Sequence, residues 1–117
     1  MKRNTGEKIQ VTASEAAKVA GEVLSQIQSE MFEKAREFLN SSIVEVMSMD
    51  ELSSAIEKRR LAQVALCHNP ECELKIRNRI EGITSRCIPF DRRPAEGSRC
   101  IVCGQNAENL VYFSKYY

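Results

Sequence analysis

The chain has 117 residues, 43% of them hydrophobic and 28% charged, with a formal charge of +1, which suits one soluble domain with a real core and is too short for two. Its longest apolar runs are only a few residues, which excludes a membrane-spanning helix. No apolar segment follows MKRNTGEKIQ, so no secretory signal is expected, and the cysteines are expected to be reduced, in the cytoplasm. The charge is unevenly placed: residues 1–57 hold 6 Lys/Arg against 10 Asp/Glu, residues 58–117 hold 11 against 6. Such asymmetry fits a polyanion-facing surface or an ordinary solvated face.

Residues 1–9 read as an incoming linker or a short first strand. Thr12 to Glu15 has the form of a capping box, in which the Thr hydroxyl accepts a backbone N–H and the Glu side chain reaches back. A long helix over 12–39 is predicted to follow. Ala16, Val19, Ala20, Val23, Leu24, Ile27, Met31, Phe38 and Leu39 fall at spacings of three and four, one stripe expected to pack into the core. Asn40-Ser-Ser ends the helix, and the β-branched IVEVMS reads as a strand. Ser48 to Glu51 is a second capping box, opening a short helix to about Arg59.

LAQVALC reads as a buried strand leading into Cys67. Asn69-Pro70 is a helix start, a cap residue before a proline whose missing N–H costs nothing there, and predicts a helix over 70–80. ITSRCIPF is a strand with Pro89 near its end, DRRPAEGSR is turn-rich, and residues 109–117 form a terminal strand. This alternation predicts a two-layer α/β (α+β) sandwich, a mixed sheet with helices on one face.

Four of the five cysteines form two pairs, Cys67-x4-Cys72 and Cys100-x2-Cys103, separated by 27 residues. That is the layout of a four-thiolate zinc site over residues 67–103. Gly104 suits a positive φ that turns backbone N–H groups toward sulfur, and Cys72 lies in a first helical turn, where free N–H groups favour thiolate. Four thiolates leave no open position, so the metal would be structural and the segment noncatalytic. A dithiol redox pair at Cys100–Cys103 and two structural disulfides are the competing readings. His68 is expected to be solvated, and Cys87, among Ile83, Ile88 and Phe90, to be a buried inert thiol.

With KRNTGEK, the long helix, CHNPEC, RCIPF, CIVCG and YFSKYY in place, the whole chain resembles the C-terminal zinc-binding domain of prolyl-tRNA synthetase, archaeal and eukaryotic-like type. The resemblance implies one zinc-binding domain over 1–117, a C-terminal piece of a larger synthetase, with a fold similar to the C-terminal domain of translation initiation factor 3. It places Cys67, Cys72, Cys100 and Cys103 on the family's Zn²⁺ ligand positions. It also puts Tyr117 on a chain-terminal tyrosine directed at the catalytic domain. Proline–tRNA ligase activity with ATP and Mg²⁺ would belong to the parent enzyme, a cytoplasmic homodimer acting on tRNA through catalytic and anticodon-binding domains outside this segment. The alternative is a free-standing zinc module binding RNA or protein through Lys58, Arg59, Arg60, Arg92 and Arg93.

Overall fold

The sheet is built on two strands whose sequences bury both faces. LAQVAL lies in the centre of a four-stranded sheet, and NLVYFSK pairs against it. In chain order the elements are α1 (Ala16–Ser42), β1 (Ile43–Val46), α2 (Met49–Glu57), β2 (Leu61–Leu66), α3 (Pro70–Arg79), β3 (Ile83–Cys87) and β4 (Asn109–Lys115). The structure, a computed structural model, describes residues 1–116, so Tyr117 lies outside the described residues. The sheet order is β1-β2-β4-β3. β1 runs parallel to β2, as a strand–helix–strand unit through α2 allows, and β2–β4 and β3–β4 are antiparallel.

Alternation along β2 and β4 sets the two faces. Ala62, Val64, Leu66, Val111 and Phe113 join Leu52, Ala55 and Ile56 of α2 and Ile76 of α3 in one core. Gln63, Leu110 and Tyr112 are also buried, although they alternate with those core positions and so belong to the opposite face. There the turn-rich segment after β3 contributes, Arg92 Nη1 donating to Gln63 Oε1 at 3.2 Å. The expected mixed sheet with helices against one face is what the chain forms.

The short elements begin as their sequences require. Ser48 caps α2, its hydroxyl accepting from the Glu51 N–H at 3.2 Å, while Glu51 Oε2 accepts from the Met47 N–H. Asn69 caps α3, accepting from the Glu71 N–H at 2.9 Å, with Pro70 as its first residue.

The chain divides into two compact units, Met1–Asn40 and Ser41–Tyr117. In the first, three expectations are corrected. α1 begins at Ala16, not at the Thr12 box: the Thr12 hydroxyl donates to the Glu15 carboxylate at 2.6 Å, a side-chain pair in place of a backbone cap. The helix also takes in the whole Asn40-Ser-Ser stretch expected to end it after residue 39, and closes at Ser42. Most important, no residue of α1 is buried, so the apolar stripe does not enter the core. Met1, Ile9 and Val11 line a groove with Val19, Val23 and Ile27, which are half-buried. Leu24, Met31, Phe32, Phe38 and Leu39 stay exposed. Residues 1–9 form no strand; Gly6, at φ 76°, closes a turn in which the Lys2 N–H donates to the Glu7 carbonyl. Lys2 is buried and its ammonium meets Glu30 of α1 at 3.2 Å.

Candidate metal centre

The two cysteine pairs sit where β2 ends and β4 is about to begin. Cys67 directly follows β2, and Cys72 lies in the first turn of α3, its N–H donating to the Asn69 carbonyl. Cys100 and Cys103 belong to a tight knuckle before β4, closed by a bridge between Arg99 and Asn106. That knuckle is fastened to the end of β2: the Ile101 N–H donates to the Ala65 carbonyl, and the Glu108 N–H to the Leu66 carbonyl. Gly104 has φ 71°, and its N–H closes the turn onto the Cys100 carbonyl at 2.9 Å. A side chain at 104 would be strained in that left-handed backbone.

The four sulfurs lie within 4.8 Å of one another. Cys67 Sγ is 3.5 Å from Cys72 Sγ and 3.6 Å from Cys103 Sγ. Four sulfurs at about 2.3 Å from one tetrahedral ion would stand about 3.8 Å apart. Bonded sulfurs would be about 2.05 Å apart, and all five cysteines are free. The spacing therefore fits an ion held between four thiolates and does not fit disulfides. All four donors are soft, a set suited to zinc among biological metals.

The electrostatics of the cluster are those of thiols crowded together. Burial, then the neighbouring thiols, push Cys72 up to about 12. For Cys100 burial also acts upward, but backbone N–H groups of Cys67, Cys103 and Val102 outweigh it and bring the thiol down to about 6. Cys67 receives an N–H from Asn69 that favours thiolate, yet burial and the adjacent thiols leave it raised. A cation at the centre would reverse the crowding, since each thiolate would then face positive charge.

His68 is exposed and stands outside the sulfur cluster. Cys87 is also apart from it but exposed, which corrects the expected buried thiol: β3 ends at this residue, and Ile88 and Phe90 are exposed beyond it. The five late basic residues do not form one patch. Lys58 and Arg60 line a cleft that also holds Glu45 and Glu51, Arg60 donates to the Ser41 carbonyl, and Arg92 is committed to Gln63. Arg59 lines a different groove, with Arg86 and Lys115, which no sequence pattern marked.

Comparison with known proteins decides the family. A family profile described as prolyl-tRNA synthetase, C-terminal, matches residues 49–117. The chain belongs to the prolyl-tRNA synthetase C-terminal family. The proline–tRNA ligase of Agathobacter rectalis is 36% identical over 118 residues, covering 100% of this chain and 24% of that protein. Proline–tRNA ligase 2 of Clostridioides difficile is 35% identical over 119 residues, covering 99% of this chain and 24% of its own. The chain thus spans about a quarter of the length of these relatives. A crystal structure of Cryptosporidium parvum prolyl-tRNA synthetase, complexed with halofuginone and AMPPNP, superposes with a TM-score of 0.88 at 24% identity over 98% of this chain and 24% of that one. That likeness speaks for the fold alone.

Proposed function

We propose that the chain, over 1–117, is the C-terminal zinc-binding domain of a proline–tRNA ligase, in which Cys67, Cys72, Cys100 and Cys103 hold one structural Zn²⁺. The observation that carries this reading is the profile match over residues 49–117, the stretch that contains all four clustered sulfurs. Zinc would supply cohesion here, joining the end of β2 and the start of α3 to the knuckle before β4. With four thiolates it has no position left for water, so chemistry on proline, ATP and Mg²⁺ falls to the catalytic domain of the parent, a cytoplasmic homodimer that charges tRNA.

The uncovered stripe of α1 supports a place within that larger protein. Leu24, Met31 and Leu39 are 67%, 59% and 52% exposed, an unusual state for an amphipathic helix. The relatives' remaining three quarters, catalytic and anticodon-binding, would provide the covering surface. Tyr117 would contact the catalytic domain from the chain's end.

The test uses the full synthetase carrying this segment. Cys67→Ser and Cys72→Ser should lose one equivalent of zinc by elemental analysis and lower the rate of proline transfer to tRNA. Cys87→Ser should retain both. Equal zinc in all three variants would overturn the ligand assignment, and a protein indifferent to proline would overturn the synthetase reading.

A further inference from the structure

Two backbone irregularities in the second unit are spent on arginines that line the same groove. α2 ends in a Schellman motif, the Arg60 N–H donating to the Ala55 carbonyl at 2.9 Å and the Arg59 N–H to the Ile56 carbonyl at 3.0 Å. The left-handed residue of that motif is usually glycine, but here it is Arg59, at φ 54°, the single non-glycine among the described residues with positive φ. The second irregularity is a β-bulge: Ser85 pairs with Phe113 and Cys87 with Tyr112, which leaves Arg86 as the extra residue of β3. Bulges re-aim a side chain. Arg86 reaches onto β4, its Nε donating to Ser114 Oγ at 2.5 Å and its Nη2 to the Lys115 carbonyl at 3.1 Å.

Arg59, Arg86 and Lys115, with Leu61, Ser114 and Tyr116, line a groove of about 710 Å³. Among the described residues no carboxylate lines it, and none of the three cations has an ion-pair partner. Arg86 is already oriented by its two bonds, so Nη1 remains free to donate outward without a further ordering cost. The groove lies at the end of the sheet where β2 begins and β4 finishes, and the cysteines lie at the other end of the same strands. It is therefore distinct from the metal centre.

We propose that this groove is a phosphate site that receives the phosphodiester backbone of an RNA. Guanidinium and ammonium groups lining one groove, with no counter-charge among the described residues, match a phosphate's oxygens. Three cations spread along the groove, with one aromatic residue, Tyr116, lining it among the described residues, suit a chain of phosphates. The choice of RNA among phosphate polymers rests on the synthetase reading above; the phosphate site itself does not.

The test measures binding of a proline tRNA transcript to the 117-residue chain by fluorescence anisotropy across a salt series, with inorganic phosphate as competitor. Three contacts predict a slope of log K against log salt of about −2, and each lost cation should reduce it by about 0.7. Arg86→Gln and Arg59→Gly should each weaken binding by about tenfold. Arg59→Gly suits the left-handed backbone, so its melting temperature should hold or rise, and lost binding cannot be misfolding. Arg93→Gln, outside the groove, should bind like the parent. A tRNA for another amino acid should bind equally, because phosphate contacts carry no sequence.

The proposal fails if no transcript binds, if Arg59→Gly and Arg86→Gln leave affinity and slope unchanged, or if Arg93→Gln weakens binding as much as they do. Zinc measured on the same samples separates the two readings: a zinc-free chain with intact groove binding sinks the metal assignment alone, and a zinc-loaded chain without it sinks the groove.

Discussion

The 27-residue helix α1 buries nothing, while the 9-residue helix α2 buries Leu52, Ala55 and Ile56. Both carry an apolar face at helical spacing. The difference lies in burial: α2 lies over β1, β2 and β4, whereas most of α1's stripe is exposed. Periodicity thus reports that a face is made for burial and says nothing of which surface buries it. In the Ser41–Tyr117 unit the covering surface is in the same chain; for the helix of the Met1–Asn40 unit the parent synthetase is the proposed source.

The sharpest test of this contrast is removal of the metal. Binding free energy at a structural zinc site is folding free energy, about 10–16 kcal/mol in small zinc modules, because the unfolded chain has no preformed site. Chelation should therefore abolish the cooperative unfolding transition of the Ser41–Tyr117 unit, followed by near-ultraviolet dichroism of Tyr112, which is buried there. Proton release gives a second reading. Cys72, near 12, and Cys67, also raised, must lose protons to bind metal, while Cys100, near 6, is already thiolate at neutral pH. Zinc uptake should acidify a weakly buffered solution at pH 7, and affinity should fall as pH drops, more steeply below 6 as Cys100 also protonates. Uptake without proton release would mean the thiols are not the donors.

Smaller effects should follow burial. Phe113 is 0% exposed in the core, and Phe113→Ala should cost about 3–5 kcal/mol in denaturant unfolding. Leu24→Ala, at a site 67% exposed, should stay within about 0.5 kcal/mol in the isolated chain. In the full synthetase Leu24→Ala should cost more. A loss of equal size in both proteins would show that the stripe is not covered by the parent.

How much of this was legible beforehand follows the range of the interactions. The caps at Ser48 and Asn69, the apolar run LAQVAL and the glycine at Gly104 are local, and the elements they imply form within a residue or two of expectation. The cysteine pairs were legible although far apart, because close pairs of thiols in a reducing chain have few other uses. Three features were not. The Thr12 box failed because its hydroxyl found the Glu15 carboxylate, a competition no spacing rule ranks. Cys87 was expected to be buried because apolar neighbours surround it in sequence, but β3 ends there. The Arg59–Arg86–Lys115 groove depends on a bulge without glycine, set by pairing across the sheet, and on an arginine where the helix-ending turn usually takes glycine.

The smallest expected effect lies in the first unit, where polar contacts stand in for a core. Asn4, then Lys2, donate to the Glu30 carboxylate and hold it below the usual carboxylate range, and the same Glu30 contact raises Lys2. A carboxylate whose folded value is depressed contributes stability that is present above its unfolded value, near 4.5, and is lost as pH falls through the lower folded one. The lysine's share is present at neutral pH and is lost only above its ordinary 10.5. Acidification below about 4.5 should therefore loosen the 1–11 segment, read as faster hydrogen exchange at the Lys2 and Gly6 amides, which close the turn. Glu30→Gln keeps an acceptor but has no charge to titrate, so exchange there should be faster at neutral pH and should no longer respond to acid beyond its intrinsic dependence. If the variant's acid response matched the parent's, Glu30 would not be what fastens the segment to α1.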